Sequence, residues 1–481
     1  MHPTSLTGPY GVGDIGPRAR DLLGWLDAAN QRVWQVLPLN PVDGSGCPYA
    51  SASAFARDPL LLSPDDLLAD GWIDNRDKPY AGNTHRVDWP TISAARRPML
   101  HTAADRVRGS VALAGFVDER PWLAEWSLYR AITEVHGPRW TRWPESLRER
   151  DPTALAAVRD ELAEAVEREV ALQWLFEQQW QRLRAAATAH GIALWGDMPI
   201  FVGLESCDVW AHRELFHLDG VEAPVVTGVP PDAFSPEGQR WGHPMYDVAK
   251  HAASDHAWWR ARSRASLELV DTVRIDHFRG VESSWEIGAD QPTAMDGRWV
   301  QGLGAPLLEA LLADADDREM PFVAEDLGII TSEVSALRDQ FRLPGMAVLQ
   351  FAFTPDPDKG DWGHPYLPHN HRQNQVVYTG THDNDTTLGW FWSGSEAQRD
   401  RVRRYLSCGD DELPWKLVLA AWRSVCDTAI VPLPDLLGLG SDARLNTPGT
   451  VEGNWSWRMP RHALGLEQAA WMAEQSRVSG R

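Results

Sequence analysis

Three short carboxylate-bearing segments, each closing an apolar run, constrain this chain more than any other feature. They are Thr272-Val-Arg-Ile-Asp276-His-Phe-Arg-Gly280, Phe322-Val-Ala-Glu325-Asp-Leu-Gly328 and Val376-Val-Tyr-Thr-Gly-Thr-His-Asp383-Asn-Asp385. A run rich in Val, Ile and Thr that stops at a polar residue reads as a buried β-strand. The intervals between the three acids leave room for a helix and loops. Parallel strands joined by crossovers have this spacing, and such a topology brings all three acids to one rim. Three acids on one rim suit glycosidic-bond chemistry.

Each segment has a chemical reading and a plainer competitor. Arg274 precedes Asp276 by two, so on a strand both side chains share a face. The guanidinium would lower the acid's pKa and keep it ionised, as a nucleophile attacking an anomeric carbon requires. A structural ion pair is the competing reading. Glu325 suits a general acid whose burial and negative surroundings raise its pKa; an acid capping the next helix competes. Asp326 points away from Glu325 if the strand persists. Asp383, between His382 and Asn384, suits hydrogen bonding to ring hydroxyls in an oxocarbenium-like state, with an Asp/Asn turn as the alternative. Each segment alone is ambiguous, whereas the ordered set at strand ends is a specific pattern.

The rest of the chain supports a barrel. Pro17 to about Asn30 reads as a helix burying Leu22, Leu23, Trp25 and Leu26. Strands are expected at Val33–Pro38, Pro59–Ser63, 193–198, 272–276, 321–325, 346–353, 376–382 and 428–433, eight in all. Residues 64–190 read as a largely helical insertion between barrel strands. Its clearest helix, after Asp151-Pro-Thr153, places Leu155, Val158, Leu162 and Val166 on one stripe. Residues 201–247, rich in Gly, Pro, Asp and Trp, read as a loop insertion over the active site, because so long a loop in a compact domain is usually functional. The expected fold class is α/β: one catalytic (β/α)8 TIM barrel over 1–481 with helical and loop insertions at its C-terminal rim.

Composition narrows the partners. With 67 acidic against 46 basic residues, a net charge of −21, nucleic acid and anionic membranes are poor partners. The four cysteines show no paired spacing and read as reduced thiols. No export signal or long apolar span is visible, so a cytoplasmic location is expected. The 25 tryptophans outnumber Tyr and Phe together; most belong in the core, leaving a few to stack on sugar rings. Gly11-Val-Gly-Asp-Ile-Gly16 fits a dinucleotide fingerprint, but no strand precedes it. His364, His369 and His371 lack metal-site spacing and read as solvated loop histidines. No metal and no cofactor is expected.

Further segments carry a family resemblance. They include Thr4-Ser-Leu-Thr-Gly-Pro-Tyr-Gly-Val-Gly-Asp-Ile-Gly16, Trp34-Gln-Val-Leu-Pro-Leu-Asn-Pro41, Pro48-Tyr49 with Ser53-Ala-Phe55, and Gly196-Asp-Met-Pro-Ile200. Gly228-Val-Pro-Pro-Asp232 to Gly238-Gln-Arg-Trp-Gly242, Asn446-Thr-Pro-Gly449 and Asn454-Trp-Ser-Trp457 complete the set. On these the chain resembles the amylomaltases, the 4-α-glucanotransferases of glycoside hydrolase family 77, relatives of the α-amylase clan. The resemblance implies retaining transfer of α-1,4-glucan segments between a maltodextrin, starch- or glycogen-derived donor and a glucose or maltodextrin acceptor. An α-amylase-type retaining hydrolase is the alternative. It implies Asp276 as nucleophile, Glu325 as acid/base and Asp383 as transition-state stabiliser. Arg274, His382, Tyr49 and Asp197 would form the subsite of the reacting glucose. Gln239 and Trp241 would sit over the acceptor side, and His277, Asp326 and Asn454 would also bind substrate. Cys47 departs from the family's usual Ser before the Pro-Tyr pair. Neither a long N-terminal extension nor an appended starch-binding module is expected.

Overall fold

The apolar runs that end in acids form adjacent parallel strands. In the computed structural model, which describes residues 1–79, 85–231, 235–315, 318–354 and 362–481, the strands in chain order are as follows. They are β1 (Val33–Gln35), β2 (Ala193–Pro199), β3 (Val225–Val229), β4 (Gln239–Pro244), β5 (Thr272–Asp276) and β6 (Ser283–Gly288). β7 (Gly297–Gln301), β8 (Phe322–Ala324), β9 (Gly345–Val348), β10 (Gln375–Tyr378) and β11 (Thr428–Ile430) complete the set.

Seven of these make the barrel wall. β1-β2-β5-β8 and β9-β10-β11 are two parallel arcs, joined where Ala324 N donates to Pro344 O at 2.9 Å. β5, β8, β9 and β10 are buried at nearly every position, as expected of strands covered on both faces. The helices Gly304–Ala313, Ser332–Gln340 and Leu413–Trp422 lie in the crossovers that return the chain to β8, β9 and β11.

The eighth strand, expected at Pro59–Ser63, is instead a 3-10 turn over Pro59–Leu61. Asp58 caps it by accepting from Leu60 N at 2.9 Å, and Pro59 supplies a φ suited to a first helical position. Apolarity there reflects burial of Leu61 and Leu62, not strand pairing. The outer edge of β1 is flanked by the amino-terminal residues, with Met1 N 3.4 Å from Gln35 O and Leu37 N donating to His2 Nδ1 at 3.3 Å. A cavity of about 200 Å³ is lined by β1, by β11 with Val431 and Pro432, and by Trp25, Trp422 and Met472, and reaches Asp197 and Arg274.

Two expectations change in detail. Residues 64–190 hold several helices, among them Trp89–Val107, Trp122–His136 and Ala163–Ala189. The stripe Leu155–Val166 is split, because the helix Pro152–Glu161 ends with Leu162 as its C-cap and a new helix starts at Ala163. Segment 201–247 is not an irregular loop. Its strands β3 and β4 join β6 and β7 in a four-stranded antiparallel sheet, ordered β4-β3-β6-β7, beside the barrel. Gly and Pro dilute its periodicity, which hid the strands. Trp126, Trp140, Trp180, Trp210 and Trp259 are wholly buried, while Trp362, Trp392 and Trp415 are exposed.

Candidate active site

The C-terminal ends of β2, β5 and β8 bring the predicted acids together through their register. Asp197 pairs with Arg274, and Pro199 with Asp276; Ile275 pairs with Ala324, which makes Asp276 and Glu325 the next neighbours along the two strands. The ladder continues past the strands, as Glu325 N donates to Ile275 O at 3.1 Å and Phe278 N to Glu325 O at 3.0 Å.

Arg274 is the hub. Its NH2 donates to Asp276 Oδ1 at 2.7 Å and to Asp197 Oδ2 at 2.9 Å, and lies 3.4 Å from the Tyr49 hydroxyl. That hydroxyl donates to Asp197 Oδ2 at 2.6 Å. Burial opposes the guanidinium's charge, but Asp197 and Asp276 outweigh it and hold Arg274 firmly protonated. Asp276 does not have the lowered pKa expected from Arg274. Burial outweighs the guanidinium and pushes the carboxyl up to about 6, which still leaves it ionised at neutral pH. Burial first, and the Asp276 charge second, raise the Glu325 carboxyl well above the ordinary range. Each acid thus disfavours the charge of the other, and the pair favours sharing a single proton.

Glu325 is fixed from both sides. Its Oε2 accepts from His277 N at 2.7 Å and its Oε1 from Leu327 N at 3.1 Å. It does not cap the following helix, where Thr331 serves instead. The His277 amide reaches Glu325 from a left-handed backbone, φ +56°, a costly conformation for a residue with a Cβ. The His277 ring, driven by burial to a pKa of about 3 and therefore neutral, meets the Trp241 ring edge-on at 4.7 Å. Trp241 Nε1 donates to Gln239 Oε1 at 3.3 Å, so β4 carries Gln239 and Trp241 to the side of the site where His277 lies. Asp232 lies outside the described residues.

Across the cleft, His382 stacks on Tyr49 with ring centroids 5.1 Å apart and planes 16° from parallel. Its Nε2 lies 3.3 Å from Asp383 Oδ1. The turn after β10 is built by Asn384, whose Oδ1 accepts from Thr381 N and Oγ1, both at 2.9 Å. This frees the Asp383 carboxylate for the cleft, where 47% of the side chain is exposed.

Two predicted substrate contacts fall elsewhere. Asp326 is buried behind the strand, where it ion-pairs with Arg338 and accepts from Met346 N at 2.7 Å. Strand alternation turned it away from Glu325, and both its oxygens are engaged. Asn454 spends its amide inside its own loop, accepting from Thr447 N at 2.9 Å and donating to Thr450 O at 2.9 Å. His371 is no solvated loop histidine either; it is buried, with Nδ1 2.6 Å from Ser424 Oγ and Nε2 2.8 Å from Tyr366 O. No cluster of His, Cys, Asp and Glu suited to a metal occurs among the described residues.

Residues that sequence reasoning did not single out complete the site. Asn446 Nδ2 donates to Asp383 Oδ1 at 2.6 Å, and Arg444 NH2 to Asp383 O at 2.7 Å. Trp455, with a left-handed φ of +57°, lays its ring against Tyr49 and His382, each centroid 5.8 Å away. The Asn-Thr-Pro-Gly and Asn-Trp-Ser-Trp motifs were the available signals.

A parallel barrel with a carboxylate pair at its C-terminal rim, a third acid opposite, and stacked aromatics between defines a class of α-glucan-active enzyme. The 4-alpha-glucanotransferase sequence profile matches residues 1–464, and the chain belongs to that family, glycoside hydrolase family 77. It is 45% identical to the 4-alpha-glucanotransferase of Thermus thermophilus over 487 aligned residues, covering 98% of this chain and 96% of that protein. Against the chloroplastic 4-alpha-glucanotransferase of Arabidopsis thaliana it is 41% identical, covering 96% of this chain and 81% of that one. Among solved structures, the amylomaltase of Streptococcus agalactiae in complex with acarbose superposes with a TM-score of 0.95 at 33% identity, covering 100% of this chain and 98% of that one. The protein is a 4-α-glucanotransferase with the (β/α)8 fold of the amylomaltases; the hydrolase alternative finds no better support.

Proposed function

We propose that the chain moves α-1,4-glucan segments from a maltodextrin donor to a glucose or maltodextrin acceptor by retaining double displacement, with Asp276, Glu325 and Asp383 as the reacting acids. The observation that carries this is the register of β5 and β8, which makes Asp276 and Glu325 neighbours whose carboxyls are both shifted upward by burial, that of Glu325 also by the Asp276 charge. Adjacent strands lie about 4.8 Å apart, compatible with the carboxyl separation of about 5–5.5 Å used by retaining enzymes. Ionised Asp276 attacks C1 of the donor glucose while Glu325 gives its proton to the departing glycosidic oxygen. A β-glycosyl ester on Asp276 results. Glu325, now a carboxylate, takes the proton from the acceptor's 4-hydroxyl as that oxygen attacks C1, and Asp276 departs. Asp383 and the Arg274–Asp197–Tyr49 group hold the donor ring, with the Tyr49–His382 stack as one wall.

Transfer requires that a sugar hydroxyl outcompete water present at about 55 M, which oriented binding achieves through effective molarities of about 10⁵ M or more. The β3–β4 hairpin, with Gln239 and Trp241 on the side of His277, orients the acceptor. Purified protein given maltotriose should release glucose and a ladder of longer maltodextrins at constant total reducing ends. A steady rise in reducing ends would establish hydrolysis instead.

A further inference from the structure

We propose that Asn446 is a positioning residue for Asp383, fixing that carboxylate for the donor ring without cancelling its charge. This rests on the reading of Asp383 as transition-state stabiliser. Asp383 stands on a turn beyond β10, not on a strand, so the sheet does not orient it. The hydrogen bond from Asn446 Nδ2 and the contact from His382 Nε2 both fall on Oδ1, at 2.6 and 3.3 Å. Oδ2 is thereby left to the cleft as far as the described residues are concerned.

Asn446 is itself clasped to the turn. Asn446 N donates to His382 O at 3.2 Å. Arg444 binds both sides of the junction, through Nε to Asn446 O at 2.7 Å and NH2 to Asp383 O at 2.7 Å. Behind it, Trp455 N donates to Leu445 O at 2.7 Å, and the Trp455 ring backs Tyr49 and His382. One return segment, 444–455, thus holds the carboxylate, the imidazole and the stacking tyrosine in a single frame.

The choice of an amide has a chemical reason. A developing oxocarbenium ion needs a full negative charge nearby. A lysine or arginine on Asp383 would orient it but neutralise it. A neutral N–H donor gives a charge-assisted hydrogen bond and leaves the anion intact.

The test compares Asn446→Ala and Asn446→Asp with wild type and with Asp383→Asn. Asn446→Ala should lower kcat about 10- to 100-fold, the scale of an ångström-level misplacement. KM for maltotriose should stay within about two-fold and the melting temperature within a few degrees, since the lost interaction acts in the transition state. A maltosyl fluoride donor, whose leaving group needs no acid, should restore fluoride release in the first turnover of Glu325→Gln but not of Asn446→Ala. Asn446→Asp keeps the side chain's shape, so it also serves if the alanine variant folds poorly. Two adjoining carboxyls share a proton, and the protonated form still donates to Asp383. Its rate optimum should therefore move to lower pH than wild type. Unchanged kcat in Asn446→Ala, or an unmoved pH optimum in Asn446→Asp, overturns the inference. Should Asp383→Asn keep its activity, the stabiliser reading fails first; if that variant is dead and Asn446→Ala is not, only the present inference fails.

Discussion

Asp276 sits in an environment that favours neither of its jobs completely. Burial raises it to about 6, against an ordinary value near 3.8, so the fold disfavours its charge while the proposed role as nucleophile needs it. The acid limb of kcat/KM should accordingly fall below about pH 6, where Asp276 takes up a proton; a profile flat to pH 4.5 would contradict this assignment. The sign for stability follows from the same shift. A carboxyl whose folded pKa is raised costs nothing below its unfolded value, and its penalty is complete once the pH passes the folded one. Asp276→Asn should thus abolish turnover yet stabilise the protein above pH 6, by on the order of 1–2 kcal/mol once partial exposure in the cleft is allowed for. Thermal unfolding of both proteins across pH should show that advantage vanish near pH 4. Asp326 makes the opposite prediction, because its ion pair with Arg338 is structural. Asp326→Ala leaves the Arg338 guanidinium with Asp339 alone and takes the acceptor from Met346 N, so it should cost about 2–3 kcal/mol, while KM for maltotriose changes less than about two-fold; a large rise in KM at unchanged stability would restore Asp326 to the substrate side. The three acids proposed to react were legible because an apolar run followed closely by a carboxylate is a local pattern. Asn446 was not, since it meets Asp383 only through a chain return 63 residues later.

At the level of elements, strand character was readable wherever burial on both faces left a run of Val, Ile and Ala, as in β5, β9 and β10. It failed in both directions where that link broke. Pro59–Leu61 is apolar, with Leu61 buried, but helical, because Asp58 and Pro59 build a capped turn. β3 and β4 are strands whose Gly, Pro and His content conceals the two-residue period. Their hairpin nevertheless carries Gln239 and Trp241 to the catalytic face, and Gly238 sets how it turns. Gly238 has φ +68°, and a Cβ there would stand 2.8 Å from Ala294 Cβ, closer still to the Val229 carbonyl. Gly238→Ala must shift the hairpin, since neither backbone nor neighbour can yield. The barrel carboxylates are untouched by such a shift, so cleavage should persist while acceptor selection degrades. Assayed on maltotriose, the ratio of transfer to hydrolysis should fall several-fold, with the loss of the first step much smaller. Equal loss of both steps would place the hairpin's role elsewhere.

For the whole molecule, the barrel is a wall with one seam. β1 and β11 close the two parallel arcs, and between them lie the amino-terminal residues and a cavity of about 200 Å³. Close-packed interiors seldom leave that much space, and the lining side chains forgo dispersion contacts they would otherwise make. The cavity extends upward to Asp197 and Arg274, so the seam and the catalytic hub share a boundary. Filling the part lined by β11 should add stability without touching the chemistry. Ala429 is suited to this. It lies on β11, paired with Val377 of β10, and lines the cavity. Valine fits a strand and adds two methyl groups where there is room for them. Ala429→Val should raise the unfolding free energy by about 1 kcal/mol, the usual yield of filling a void, with kcat and KM for maltotriose unchanged. Denaturant unfolding measures the first and initial rates the second. A lower midpoint would mean that the side chain points into packed neighbours and that the seam is narrower than its lining implies. A stabilised enzyme with reduced kcat would show instead that the space beneath Arg274 serves the movement of the catalytic hub.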